Sequence, residues 1–204
     1  MPEQVSTRRF LDFDETLFDH MSMLAWLDPI MTANYGLKPG QFTAGVDDHH
    51  DQIDDVHRLY RHRDHYGLSG LEWEVISAEV RARAIAEDVD FCYPDVHPFL
   101  ARLASQDVDV RLLTFGDAEY QLYKIGLCRE LARYGLPVIV VDEPKADYLE
   151  REFPGGGTLT DDKYPLGLPS GWRHELIDRS GRFSGAELGP GVVRISSLDD
   201  IELP

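Results

Sequence analysis

Phe10-Leu11-Asp12-Phe13-Asp14-Glu15-Thr16-Leu17 passes from apolar to acidic residues with no linker between them. Arg8 to Phe13 reads as a short buried strand that leads straight into carboxylates. Side chains alternate across a strand, but where the chain leaves it Asp12 and Asp14 can both turn toward one site. One carboxylate can then attack phosphorus as a nucleophile while the other protonates the leaving oxygen and later activates water. The same residues would equally suit an acidic turn in which Asp14 or Thr16 caps a following helix.

Beyond this segment the texture becomes helical. Met21, Leu24, Ala25, Leu27 and Ile30 recur at helical spacing, as do Leu71, Val75, Ile76, Ala78 and Val80, with breaks at Pro39-Gly40 and between Gly67 and Gly70. After Tyr93-Pro94 strands and helices alternate. A helix is expected over 96–104, a strand over 108–113, a helix over 118–134, a strand over 137–141 and a helix from Lys145. Then come a turn at Gly155-Gly156-Gly157, a strand over 158–160, and later strands over 174–178 and 192–195. This alternation implies an α/β protein built on a mostly parallel, three-layer sheet. Ligands in such sheets bind at the carboxyl ends of the strands where strand order reverses.

One crossover unit needs roughly 30 residues, yet Asp14 and Thr114 lie 100 positions apart. The surplus predicts an inserted all-helical subdomain at 19–90, with 1–18 and 91–204 forming the core.

Three further segments carry chemistry. Arg111-Leu112-Leu113-Thr114-Phe115-Gly116-Asp117 reads as a strand ending in a hydroxyl, then a small residue and a helix start. The Thr114 hydroxyl and the main-chain N–H groups of Phe115 and Gly116 suit phosphate oxygens, although a plain helix cap at Thr114 or Asp117 fits as well. Lys145, in Pro144-Lys145-Ala146-Asp147, follows a strand and could offset the charge of nucleophile and phosphate; taken alone, a lysine at a helix start is an ordinary solvated residue. Thr158-Leu159-Thr160-Asp161-Asp162-Lys163 puts paired carboxylates after a strand, hard oxygen donors of the kind magnesium takes, or a polar turn.

Composition narrows the field. A net charge of -17 at pH 7 opposes binding to a nucleic-acid backbone, whose affinity comes from Lys and Arg displacing counterions. No apolar run approaches the length of a membrane span, and Met1-Pro2-Glu3-Gln4 lacks a basic start or apolar stretch, so the expected location is the cytoplasm. The two cysteines, Cys92 and Cys128, show no metal-type spacing and are read as reduced.

Taken together and in this order, the segments resemble the haloacid dehalogenase (HAD) superfamily in its phosphatase branch. The resemblance spans nearly the whole chain, including Tyr93-Pro94-Asp95-Val96 and Ser197-Leu198-Asp199-Asp200. It implies a Rossmann-like core, Mg2+ as cofactor, Asp12 as nucleophile, and Asp14 as general acid/base with its main-chain carbonyl on the metal. Thr114, Phe115 and Gly116 would hold the substrate phosphate and Lys145 would stabilise charge. Asp12, Asp14, Asp161 and Asp162 would form the metal site, with Asp161 and Asp162 as alternatives for the direct ligand. The implied substrate is a small phosphorylated molecule. Two departures stand out: Glu15 replaces the glycine common between the second Asp and the Thr, and the acid that often follows the metal-binding Asp by a few residues is absent.

The insertion resembles a helical cap. Its His50, Asp54, His57 and Arg61 would share a helix face, either as a second metal site or as a solvated, ion-paired surface, while Tyr60, Arg61 and Arg63 could meet an anionic leaving group. Trp26, Tyr35, Trp73 and Phe91 read as cap core rather than as a substrate platform. Among other chemistries of the superfamily, dehalogenation does without the second Asp, so Asp14 argues against it. Phosphonate cleavage needs a cap lysine, for which only Lys38 is available. A mutase, or a non-catalytic binding protein that retains the fold, stays open.

Overall fold

The computed structural model describes residues 8–43, 73–106 and 108–203. In chain order the elements are β1 (Arg8–Leu11), α1 (His20–Tyr35), α2 (Trp73–Ala86), α3 (Val96–Ala104), β2 (Asp109–Phe115), α4 (Ala118–Ile125), α5 (Arg129–Tyr134), β3 (Val138–Val141), α6 (Lys145–Glu152), β4 (Gly157–Asp161), β5 (Trp172–Ile177), β6 (Val192–Ile195) and a 3-10 turn, Leu198–Asp200. They divide into two compact units. One comprises Met1–Phe18, Cys92–Phe115 and Glu130–Pro204; the other comprises Asp19–Phe91 and Gly116–Arg129.

The first unit holds a six-stranded sheet in the order β3-β2-β1-β4-β5-β6. Every neighbouring pair is parallel, so the sheet is parallel throughout, not merely for the most part. Order reverses between β1 and β4: the chain adds β2 and β3 on one side of β1, and β4, β5 and β6 on the other. Strands covered on both faces should be apolar nearly throughout, and every residue of β4 is buried. One face carries a cluster of Phe10, Leu113, Val141, Leu149, Leu159 and Trp172. Removing a buried ring such as Phe10 from such a cluster costs about 3–5 kcal/mol. In α3 the buried residues Val96, Phe99, Leu100 and Leu103 follow the spacing of a single apolar stripe.

A buried polar group also lies within the sheet. The Arg9 guanidinium pairs with Glu175, and Thr160 Oγ1 donates to Glu175 Oε2 at 2.9 Å. A buried arginine is tolerated in β1 because its charge meets a carboxylate on β5, a pairing that β1 read alone does not reveal.

At the turn before β4, Gly156 has φ +76°, and a Cβ added there would stand 2.2 Å from the Gly171 carbonyl oxygen. The glycine triplet is therefore a tight turn, as its position before a strand implied.

In the second unit, α1 starts at Asp19, whose Oδ1 accepts the Ser22 N–H at 2.9 Å, and ends at Gly36 in the left-handed conformation. Its buried stripe is Met23, Leu24, Leu27, Ile30 and Met31. Met21, expected on that stripe, is 53% exposed, and Val75 of α2 is 59% exposed; both sit one step off the i, i+3, i+4, i+7 line through their neighbours. Trp26 packs edge-on against Phe91 with ring centroids 5.4 Å apart and donates to Glu87 at 2.8 Å. Tyr35 donates to Glu79 at 2.8 Å. The helix expected over 118–134 is two helices, broken at Gly126–Cys128. Gly116–Arg129 groups with the helical unit, where Arg129 pairs with Asp88 at 2.6 Å. Both cysteines are free thiols, Cys128 buried. Among the described residues no helix is long and apolar enough to cross a membrane.

Candidate active site at the carboxyl ends of the central strands

The site begins where β1 and β4 stop side by side. Asp12 follows β1 directly and its N–H donates to the Thr160 carbonyl at 2.9 Å, so the ladder carries on one residue past the strand and fixes the Asp12 backbone. Asp161 is the last residue of β4 and is fully buried. Lys145 opens α6, the helix that follows β3, and is buried too. Its Nζ donates to Asp12 Oδ1 at 2.5 Å and to Asp161 Oδ2 at 2.6 Å. A solvated lysine is thereby ruled out. The other oxygen of Asp161 accepts the Lys163 N–H at 2.9 Å.

Asp162 completes the group: one carboxylate oxygen from each of Asp12, Asp161 and Asp162 lies within 4.8 Å of the other two. Both carboxylates at the end of β4, Asp161 within it and Asp162 just after it, thus belong to the cluster. Asp162 is partly covered, with a side chain 13% exposed, and Arg182 donates to its main-chain oxygen at 2.6 Å.

Electrostatics follow from this crowding. Burial pushes Asp12 well above the ordinary carboxylate value; Asp161 and Asp162 add to the rise and Lys145 opposes it. Burial likewise pushes Asp162 up to about 6, with the Asp161 charge contributing. Burial works against the Lys145 ammonium, but Asp12 and Asp161 outweigh it and raise its pKa. Three carboxylates and one ammonium leave a formal charge of two negatives (-3 + 1 = -2). A divalent cation would cancel that charge, and all the donors are hard oxygens of the type magnesium prefers. The residues present therefore fit Mg2+. His174, on β5 next to β4, is buried, and burial lowers its pKa.

Asp14 lies two residues past Asp12, in a closed turn. Phe13 O accepts the N–H groups of Leu17 and Phe18, both at 2.9 Å, and Glu15 N–H donates to Phe18 O at 2.9 Å. Asp14 is half-buried, and its carboxylate is not a member of the close group formed by Asp12, Asp161 and Asp162. The helix that follows is capped by Asp19, so neither Asp14 nor Thr16 is spent as a cap. Glu15 takes φ 57°, a left-handed conformation that suits glycine and strains other residues. Its carboxylate accepts the Tyr93 hydroxyl at 2.7 Å. That bond is the local compensation for the departure noted at position 15.

Thr114 and Phe115 are the last two residues of β2, which runs two residues further than the sequence suggested. Thr114 is buried. Gly116 follows with φ +141°, and a Cβ added there would come within 2.8 Å of Gln121 Nε2. The cap of α4 is Asp117, which accepts the Tyr120 N–H at 3.0 Å, so the Thr114 hydroxyl is not used for capping.

Position in sequence therefore identified Asp12, Lys145, Asp161 and Asp162, and the structure brings these four together. It sets Thr114 at the end of β2, the neighbour of β1, and Asp14 in the turn that follows β1. Asp95 and Arg179 were missed as a pair: Asp95 fell within a recognised segment, but nothing local marks Arg179 as its partner. His50, Asp54, His57, Tyr60, Arg61 and Arg63 lie outside the described residues, as does the side chain of Trp73, and Lys38 is exposed.

No protein-family model matches the chain, and no curated protein does. Solved structures do. A protein described as a haloacid dehalogenase-like hydrolase from Burkholderia xenovorans LB400 is similar with a TM-score of 0.67 at 18% identity, over 95% of this chain and 93% of that one. The HAD-hydrolase YfnB from Bacillus subtilis, solved bound to magnesium, gives 0.60 at 14% identity over 96% of each chain. A HAD phosphatase from Thermococcus onnurineus gives 0.60 at 17% identity over 94% of each. At such identities the likeness establishes the fold: this chain has the three-layer, Rossmann-like fold of the HAD-like hydrolases.

Proposed function

We propose that the protein is a Mg2+-dependent phosphatase, a phosphoric monoester hydrolase acting in the cytoplasm on a small phosphorylated metabolite through an aspartyl-phosphate intermediate. The observation that carries this reading is the Lys145 ammonium bonded to both Asp12 and Asp161 at the point where strand order reverses. A carboxylate nucleophile at that spot needs its charge offset before a phosphate can approach. Asp12, Asp161 and Asp162, with the Asp14 main-chain carbonyl, would hold magnesium; when bound, it neutralises charge on the phosphate and on the acids around it.

The residues then divide the work. An Asp12 oxygen forms a bond to phosphorus as the bond from phosphorus to the leaving oxygen breaks, and Asp14 gives that oxygen its proton. Asp14, now ionised, takes a proton from water; the resulting hydroxide displaces Asp12 and releases inorganic phosphate. The Thr114 hydroxyl and the N–H groups of Phe115 and Gly116 hold the non-bridging oxygens, and Lys145 keeps Asp12 oriented and balances its charge. Asp14 favours phosphate esters over organohalides, because a departing halide needs no proton. The helical insertion serves in this reading as the substrate-selecting cap. The strongly acidic composition suits a small-molecule substrate and offers nothing to nucleic acid.

Release of p-nitrophenol from p-nitrophenyl phosphate, followed with magnesium, with excess EDTA and with Asp12→Asn, tests the proposal. Turnover is expected with magnesium, none with EDTA, and a loss of at least about 10^3-fold in the variant. Undiminished hydrolysis by Asp12→Asn would overturn it.

A further inference from the structure

We propose that Arg179, acting with Tyr93 and Asp95, is a positioning residue that fixes the turn carrying Asp14, and so sets the efficiency of proton transfer to the leaving group. The inference rests on the general-acid role given to Asp14 above.

The turn over 13–18 is closed by its own main-chain bonds, which shape it but do not orient it against the sheet. Tyr93 and Arg179 do that. The Tyr93 hydroxyl donates to Glu15 Oε2 at 2.7 Å and the Tyr93 N–H to the Leu17 carbonyl at 3.0 Å. Arg179 donates from NH2 to the Thr16 carbonyl at 2.8 Å. The residues immediately after Asp14 are therefore each held by a group from elsewhere in the same unit.

The two anchors are one assembly. The Arg179 guanidinium carbon stands 3.9 Å from the centre of the Tyr93 ring, a close cation–π contact. The guanidinium is locked by a two-pronged pairing with Asp95, NH1 to Oδ2 and NH2 to Oδ1, both at 2.9 Å. Asp95 Oδ2 in turn accepts Ser197 Oγ at 2.7 Å and the Leu198 N–H at 2.9 Å. Arg179 is 18% and Asp95 9% exposed, so this pair is largely withdrawn from solvent. Burial disfavours the charged form of Asp95, yet bonds from Arg179, the Leu198 N–H and Ser197 hold its pKa below the ordinary value. A planar fork is needed to pair with a carboxylate, reach a carbonyl and lie flat on a ring at once, which an ammonium cannot do. The strained φ of Glu15 is a conformation that persists only where its surroundings hold it.

The leaving group provides the test. Phenyl phosphate expels phenoxide, whose pKa of about 10 matches a tyrosine side chain, so the departing oxygen needs a proton. p-Nitrophenyl phosphate expels a stabilised anion that needs one far less. Asp14→Asn is the reference and should lose at least about 10^2-fold more kcat on phenyl phosphate than on the nitro ester. Arg179→Met should show the same asymmetry at about 10-fold or more, as misplacing a reacting group by an ångström can cost 10^2-fold, with KM for both esters within about 2-fold of wild type. Arg179→Lys should rescue little of it. Should Arg179→Met fail to fold, Tyr93→Phe, which removes one hydroxyl, carries the test with an expected asymmetry of about 3-fold.

Equal losses on both esters in Arg179→Met and Tyr93→Phe, with the asymmetry present in Asp14→Asn, would overturn the positioning role and leave the general acid standing. An absence of asymmetry in Asp14→Asn itself would overturn the general-acid reading, and the inference with it.

Discussion

Asp162→Asn should raise the stability of the metal-free protein while weakening its hold on magnesium, and the first effect has a size that follows from the site. In the folded chain burial and Asp161 push the Asp162 carboxyl up to about 6, against 3.8 for the free group. The folded state thus keeps its proton more tightly than the unfolded state. Stability is therefore lost as pH rises from about 4 through 6 and stays lost above it. A difference of about two pKa units corresponds to about 3 kcal/mol at pH 8. Asparagine keeps the shape without the charge and removes that penalty. Against it stands the lost contact to Arg182, 3.4 Å away on a guanidinium 56% exposed, worth under about 1 kcal/mol. The stronger Arg182 bond, to the Asp162 main-chain oxygen at 2.6 Å, survives.

A net gain of about 2–3 kcal/mol remains, or roughly 5–10 °C in Tm for a domain of this size. Thermal unfolding followed by circular dichroism at pH 8 in EDTA reads it directly. Near pH 4 the gap should shrink below about 1 kcal/mol, since wild type is then protonated as well. In excess MgCl2 it should narrow or reverse, because saturation at a hundred times Kd stabilises wild type by about 2.7 kcal/mol. A variant that melts at or below wild type at pH 8 in EDTA would refute the charge-crowding argument.

Lys145→Met should do the opposite: it strands Asp12 and Asp161 without their shared ammonium, and breaking a buried pair costs about 3–5 kcal/mol, visible as a lower urea midpoint at pH 8 that partly recovers at pH 5. Gly156→Ala should cost at least about 1–2 kcal/mol for the left-handed φ alone, and more for a Cβ set 2.2 Å from the Gly171 oxygen; an unchanged Tm would contradict the turn described. Asp95→Asn should lose about 1–3 kcal/mol at neutral pH. Because the pKa of Asp95 is held down in the folded state, its contribution is present above about pH 4 and lost as pH falls further. Wild type and variant should therefore converge in acid, which equilibrium unfolding between pH 2 and 7 would show.

Much of the site was legible in sequence because its parts sit at predictable places. Asp12, Thr114, Lys145 and Asp161 each fall at or just beyond the end of a strand, and the alternation of apolar runs with helical periods locates strand ends to within a residue or two. What could not be read is which of two uses each polar residue serves. Asp14 and Thr16 had the chemistry of helix caps until Asp19 took that place, and Lys145 had the chemistry of a surface residue until its ammonium met two carboxylates. Met21 and Val75 were placed on the wrong side of their helices because each also lies at helical spacing from apolar residues on a neighbouring stripe, Met21 from Leu24 and Val75 from Ala78, and packing alone selects between the stripes.

The sequence by itself determined the alternation of strands with helices, the parallel α/β architecture and the acids at the ends of β1 and β4, because these depend on local periodicity and on spacing along the chain. Tertiary structure alone decided that β4 lies beside β1, which turns acids separated by some 150 residues into one cluster around Lys145. It also decided that Arg179 meets Asp95, and that Arg9 finds Glu175. Strand order and side-chain direction are set by burial of the whole sheet, a quantity that no local segment contains.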